Sequence, residues 1–411
     1  MTGGVSVGLV VNPVAGLGGA AGLKGSDGAE AQRAALARGA TPRAGERAAR
    51  AVRALLSRRP GTRLVTAPGP MGGHSARAAG APHDLVRPSP LAESGPSGPT
   101  TARDTRRAVL AMAGVDLLLF AGGDGTARDV LDAVRELRER GERVPPVLGI
   151  PAGVKVYSGC FAVSPAAAGF LAAAYLSGTS GLSGTSGGGP GRAALIEAEV
   201  VDLDEDRYRQ GLVSPVLYGG LPVPAAPAAL SGRKAGSSAT APGTVEGIAR
   251  EVVSRMRPGV RHVLGPGATT RAVGRALGLA TTLLGVDVVE RDGAEGRLVA
   301  ADVSEAELSG LVEGREAVLV LSVIGGQGFV LGRGNQQVSP RVLRAVLGTV
   351  PGRLLVLATQ QKLAALGGRP LLADSGDEDL DRMLAGHVQV ITGYHESTIY
   401  RISAASEELY G

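Results

Sequence analysis

Apart from Asp116, the run VDLLLF at Val115–Phe120 contains no polar residue. A strand that is apolar on both faces offers neither of them to water. It belongs in the middle of a sheet covered on both sides, as the central strands of parallel α/β sheets are. The flanking segments agree. VSVGLVV (Val5–Val11), TRLVTAPG (Thr62–Gly69) and VPPVLGI (Val144–Ile150) read as further strands, with amphipathic stretches between them. Strands alternating with helices imply βαβ crossovers. The expected fold class is α/β, with a doubly wound, Rossmann-like N-terminal domain.

Local signals place several helices. Ala29–Arg58 has helical apolar spacing and reads as one helix. Thr101 stands where a helix would be capped, with Asp104 in the first turn, and Ser164-Pro165 opens a helix that ends near Leu176. The stretch SGTSGLSGTSGGGPG (Ser177–Gly191) reads as a flexible connection. Beyond it, strand and helix patterns alternate again: a helix over 245–256, the strand RHVLG, the helix RAVGRALG, the strand TLLGVDVV, a helix over 304–313 and the strand AVLVLSV. The tail adds a strand at Leu354–Thr359, a helix near Glu378–Leu384 and the closing pair HVQVIT and STIYRI. The expected division is an N-terminal domain over 1–176, a linker over 177–193, a second α/β domain over 194–330, and a C-terminal segment over 331–411 that returns towards the cleft.

Composition removes several function classes. A length of 411 residues allows two or three domains with a core. Aromatic residues make up 3% of the chain and Trp is absent, which argues against stacking platforms for single-stranded nucleic acid. The net charge of +5 is spread out, with no dense basic run, so nucleic acid is not an expected partner. Small anionic ligands suit it better. The one cysteine, Cys160, excludes an internal disulfide framework and a cysteine-rich zinc site. It reads as a small buried hydrophobe, and a reducing cytoplasmic compartment is the default. No stretch approaches the ~20 apolar residues that cross a bilayer, and the N-terminal apolar run is too short for a signal peptide. No membrane partner is expected, and self-association into a homo-oligomer is. The five histidines show no metal spacing, so no protein metal ligands are assigned.

The strand Val115–Phe120 runs into AGGDGTARD. Gly122 and Gly123 permit backbone conformations and close approaches closed to other residues. Ala127, Val130, Leu131, Val134 and Leu137 then fall on one face of a helix. The start of that helix offers free N–H groups to a phosphate, and Thr126 is placed to cap it. An acid at a helix start commonly does no more than cap. Three glycines around Asp124 give more clearance than a cap needs. A carboxylate that must reach a bound hydroxyl needs that clearance, and it is the group to take the proton of an attacking hydroxyl.

GGDGT at a strand tip, after a strand–NPVAG loop, resembles the superfamily of NAD kinases and diacylglycerol- or sphingosine-type lipid kinases. The ordered set NPVAGLGGAAGLKGSDG, PTTARDTRRA, FAGGDGTARD, GIPAGVKVYSGCFA, LGPGATTRAVGRALG, LLGVDVV and GGQGFVLGRGNQQVSP resembles the ATP- or polyphosphate-dependent NAD kinases over nearly the whole chain. The resemblance implies transfer of a terminal phosphoryl group from ATP or polyphosphate to the 2′-hydroxyl of the adenosine ribose of NAD, giving NADP, with Mg²⁺ bridging the donor phosphates. Asp124 matches the motif's base. Gly122, Gly123, Gly125 and Thr126 match its phosphate-facing part, and Asn12 matches the asparagine of the first loop. The sequence departs from well-studied NAD kinases in lacking the Asn-Glu pair and the TPTGSTAY-like segment. Its second domain reads as α/β where theirs is a β-sandwich.

Other candidate ligand contacts lie on glycine-rich loops. Lys24 and Asp27 sit in GLKGSDG, where the alternative is a plain turn. Lys155 sits in GIPAGVK, where the alternative is a solvated lysine. Gly265, Gly267, Thr269 and Thr270 belong to LGPGATT, a strand–turn–helix start suited to phosphate, with Thr269 as an ordinary cap as the alternative. Arg333 in GGQGFVLGRGNQQ suits a base or ribose, or else belongs to a buried polar turn. Arg233 and Lys234 read as a mobile phosphate clamp or a solvated basic linker. Two other functions stay open: a lipid or other small-alcohol kinase, for which no basic amphipathic helix is visible, and a non-catalytic nucleotide sensor.

Overall fold

The computed structural model describes residues 5–21, 29–86, 100–153, 156–178, 195–203, 215–225, 242–293, 295–348 and 353–407. The chain divides into two compact units, one of Met1–Gly16, Pro42–Gly232 and Glu408–Gly411, the other of Leu17–Thr41 and Arg233–Glu407.

The first unit is built on five parallel strands, β1 (Ser6–Val11), β2 (Arg63–Thr66), β3 (His83–Leu85), β4 (Leu117–Gly122) and β5 (Val147–Pro151), in the order β3-β2-β1-β4-β5. All six residues of β4 are buried, as an apolar run between two neighbours requires. The order reverses at β1: the chain moves to β2 on one side and to β4 and β5 on the other. Right-handed crossovers therefore send helices to both faces. Helices Ala44–Arg58 and Pro165–Ser177 pack together, as do Ala102–Leu110 and Asp124–Glu139. Gly169 makes the first contact close, since a Cβ there would lie 2.1 Å from the Ala51 carbonyl oxygen. The expected caps are present. Thr101 donates its N–H and hydroxyl to Asp104, both at 2.8 Å, and Ser164 Oγ accepts the Ala167 N–H at 3.1 Å.

An antiparallel hairpin, β6 (Leu195–Leu203) and β7 (Pro215–Pro224), completes this unit. The sequence reading assigned these residues to the second domain, with a boundary at 194. The structure instead groups them with the first unit. Ser158 Oγ accepts the Val201 N–H at 3.0 Å, the Gly159 N–H donates to the Glu199 carbonyl at 2.8 Å, and Arg135 lies 5.4 Å from the Tyr218 ring.

The second unit carries eight strands: β8 (Arg261–Leu264), β9 (Asp287–Asp292), β10 (Glu295–Ala300), β11 (Ala317–Ser322), β12 (Leu354–Leu357), β13 (Leu371–Ala373), β14 (Gly386–Gly393) and β15 (Glu396–Ala404). Their order is β10-β9-β8-β11-β12-β14-β15-β13. β8, β11, β12 and β14 are mutually parallel, and antiparallel neighbours flank them. One core joins helices Pro242–Arg255 and Ala268–Ala276 to the sheet, and a second joins Glu305–Val312 and Pro340–Leu347 to it. The C-terminal segment over 331–411, set apart from the second domain in the sequence reading and expected to return towards the cleft, supplies β12 to β15 of this sheet.

The single helix expected over Ala29–Arg58 is two, Ala29–Ala37 and Ala44–Arg58, and they fall in different units. Gly39 stops the first at φ +77°, and Pro42 cannot continue it. The strand expected over TLLGVDVV begins only at Asp287, whose carboxylate anchors the preceding loop through the Thr282 N–H at 2.7 Å and the turn after β10 through the Asp302 N–H at 2.9 Å. No described helix is long and apolar enough to cross a membrane.

Candidate functional site

Three chain segments converge at the carboxyl end of β4 in the first unit, where the strand order reverses. The loop after β1 brings Asn12, whose N–H donates to the Ala121 carbonyl at 2.9 Å. The exit from β5 brings Ala152 and Gly153, whose N–H groups donate to the Gly122 carbonyl at 2.8 and 2.9 Å. Between them the chain turns through Gly122 and Gly123 into the helix Asp124–Glu139. A Cβ on Gly122 would lie 2.3 Å from the Cβ and Oγ1 of Thr126, so only glycine fits there. Gly16 is equally constrained: at φ +76°, its Cβ would lie 2.0 Å from the Ala152 carbonyl oxygen.

The helix is capped by Gly123 and not by Thr126, a correction to the sequence reading. Thr126 lies inside the first turn, where its Oγ1 accepts the Asn12 Nδ2–H at 3.0 Å. Asn12 Oδ1 in turn accepts the Val14 N–H at 3.2 Å. Asn12 and Thr126 thus lock the β1 loop to the first turn of the helix.

Asp124 is the first helical residue and is half-buried. Its Oδ2 accepts the Tyr157 N–H at 2.8 Å. Its Oδ1 accepts the Ser158 N–H at 2.9 Å and the Ser158 hydroxyl at 2.7 Å. These donors fit an ionised carboxylate, which only accepts. They also fix its rotamer. Ser158 is fully buried and bonds onward to Val201, so the acid is tied to the β6 hairpin as well. Nearby Cys160 is fully buried, and burial, with the negative charge of Asp124 adding to it, pushes the thiol well above its ordinary range. It stays a neutral thiol and makes a poor nucleophile.

In the second unit, Gly265 and Gly267 form the turn after β8. A Cβ on Gly265 would lie 2.8 Å from Leu321 Cδ2, and Gly267 sits at φ +135° and caps the helix Ala268–Ala276. Thr269 and Thr270 are buried in its first turn. The Thr270 hydroxyl donates to the Gly267 carbonyl at 2.9 Å, which commits it to its own turn. Thr269 Oγ1 accepts from Lys362 at 3.4 Å. Arg333 is 4% exposed, with its guanidinium 4.7 Å from the Phe329 ring, the position of a buried polar turn. Lys24, Asp27, Lys155, Arg233 and Lys234 lie outside the described residues.

Sequence reasoning missed Tyr157, Ser158 and Lys362. The first two sit inside the quoted GIPAGVKVYSGCFA, yet nothing in that string says that its amides reach Asp124. Lys362 is separated by 40 and 93 residues from the hydroxyls it meets, and no local pattern records such a contact.

Residues 7–179 match the family model described as the ATP-NAD kinase N-terminal domain, and residues 258–402 match that of the ATP-NAD kinase C-terminal domain. Comparison with curated proteins and with solved structures gave no match.

Proposed function

The chain belongs to the ATP-NAD kinase family, and from that premise we propose that it transfers a phosphoryl group from ATP or inorganic polyphosphate to the 2′-hydroxyl of the adenosine ribose of NAD, giving NADP. The observation that carries this reading is the placement of Asp124: an oriented carboxylate on the first turn of a helix, at the carboxyl end of a central strand and beside the reversal of strand order. Ligands of open α/β sheets bind there. The ribose hydroxyl attacks the terminal phosphorus and forms the new P–O bond as the bond to the leaving phosphate breaks. Its proton passes to Asp124. Phosphoryl transfer runs through a loose transition state in which positioning and charge stabilisation dominate. A carboxylate held by Tyr157 and Ser158 meets the first requirement. The backbone N–H groups at the start of the helix meet the second, with Gly123 and Gly125 giving the phosphate room to approach and Gly122 letting Thr126 pack under the turn.

A divalent cation fits this arrangement as a companion of the donor. Mg²⁺ keeps several waters and is bound largely through substrate phosphates, so it would arrive with the donor while Asp124 keeps its role toward the hydroxyl proton. Among the described residues, no group of three His, Cys, Asp or Glu side chains is arranged to hold a metal ion. When bound, the cation neutralises charge on the phosphates.

The test is incubation of the purified protein with NAD, Mg²⁺ and each donor in turn, read as NADP. We expect NADP with at least one donor. No NADP with either, together with phosphorylation of diacylglycerol, would move the protein to the lipid-kinase reading. Binding of NAD or ATP without any product would make it a sensor.

A further inference from the structure

The sheet of the second unit has its own reversal of strand order. From β8 the chain moves to β9 on one side, while β11 and β12 follow on the other. The helix after β8, Ala268–Ala276, packs into one core, and the helix after β11, Pro340–Leu347, packs into the other. At such a reversal the two crossovers part and leave a crevice beyond the carboxyl ends of the strands.

Side chains from three strand ends meet there. The Lys362 ammonium donates to Ser322 Oγ at 2.9 Å, to the Val323 carbonyl at 3.0 Å and to Thr269 Oγ1 at 3.4 Å. Ser322 ends β11, Thr269 follows β8, and Lys362 lies in the short helix after β12. Two glycines line this arrangement at ordinary contact distance. A Cβ on Gly325 would lie 3.4 Å from Lys362 Cγ, so the lysine stem rests against bare backbone. A Cβ on Gly267 would lie 3.8 Å from that of Ser322. Lys362 and Ser322 are half-buried, and Ala268 is exposed, so the cluster reaches solvent.

A lysine at the tips of parallel strands carries a full positive charge where a buried structural contact needs none. A neutral side chain would satisfy the Val323 carbonyl without the cost of desolvating a cation. The Thr269 hydroxyl accepts from the ammonium and keeps its own proton to donate outward, the Ser322 hydroxyl has a 3.5 Å bond to the Val323 carbonyl to exchange for a ligand, and the first N–H groups of the helix Ala268–Ala276 add their partial charge. We propose that this crevice is a phosphate-binding subsite in which Lys362 supplies the charge and Thr269 and Ser322 the hydrogen-bonding rim. Its ligand is a phosphate or pyrophosphate group of a small molecule. That chemistry belongs equally to a dinucleotide and to a nucleoside triphosphate, and the test separates them. The subsite requires no particular reaction and does not rest on the role given to Asp124.

The experiment titrates inorganic pyrophosphate into the full chain by calorimetry, for the wild type, Lys362→Met and Ser322→Ala. Pyrophosphate should bind the wild type, and Lys362→Met should weaken binding about tenfold or more, the range for losing a charged hydrogen bond. Ser322→Ala, which removes only a hydroxyl and spares the fold, should weaken it severalfold. Competition by NAD assigns the subsite to the dinucleotide, and competition by ATP assigns it to the donor. Equal binding by the wild type, Ser322→Ala and a folded Lys362→Met overturns the proposal, as does a wild type that binds no pyrophosphate at millimolar concentration. The outcome is separable from the kinase reading, because a protein that makes no NADP can still pass this test.

Discussion

In the first unit the chain leaves β4 through Gly122 and Gly123 and presents Asp124; in the second it leaves β8 through Gly265 and Gly267 and meets Lys362. Both turns stand at a reversal of strand order, and both open a helix. The side chain at the tip differs in sign. An acid at a strand tip suits a hydroxyl that must lose a proton, while a cation suits a phosphate. The units also use glycine differently. Gly122 is glycine for want of space, since Thr126 fills the position of a Cβ. Gly267 is glycine for its backbone, since at φ +135° any side chain is strained even though the nearest atom to its Cβ would be 3.7 Å away.

That difference in cause can be broken by mutation. Gly122→Ala should cost about 1–3 kcal/mol through overpacking. Deleting the Thr126 side chain in the same chain should recover part of the loss, visible as favourable coupling in a urea double-mutant cycle. Gly267→Ala should cost about 1–3 kcal/mol through strain, and Ser322→Gly should recover none of it. Coupling at Gly267, or its absence at Gly122, would erase the distinction drawn here.

A smaller effect separates Asp124 from a carboxylate with a structural task. Glu251, 5% exposed on the helix Pro242–Arg255, accepts the His395 N–H at 3.0 Å and pairs with Arg255 at 2.8 Å. The His395 backbone N–H, with Arg255 adding to it, holds the carboxyl below its ordinary range against the opposing effect of desolvation. The folded value lies below the unfolded one. The stabilisation is therefore complete above the unfolded value and is lost as pH falls through the folded one, in the region below about pH 4. Glu251→Gln should lower the melting temperature at pH 6 and flatten its fall between pH 5 and pH 3. An unchanged acid slope would show that the contact contributes nothing of this kind.

Much of this architecture is legible in the sequence because its causes are local. The apolar run at β4 set the central strand, and the caps at Thr101 and Ser164 stand where their side chains require them. The helix read over Ala29–Arg58 failed on Gly39 and Pro42, two breakers outweighed by the apolar spacing around them. The edge strands β3, β10 and β13 went unread: β3 and β13 are three residues each, and β10 is an edge with one neighbour and no fully buried residue to mark it. Of the site, the motif positions were legible and their partners were not. Tyr157 and Ser158 reach Asp124 across 33 and 34 residues, and their N–H groups belong to the backbone, on which no residue identity reports.

The most direct measurement is the turnover of Asp124→Asn on NAD with the preferred donor, beside its melting temperature. Asparagine keeps the shape of the side chain and cannot take the hydroxyl proton. The account predicts a folded variant whose kcat falls by about 10²–10⁴, the usual share of a general base, while its KM for NAD moves little. A folded variant that makes NADP at near wild-type kcat would contradict it.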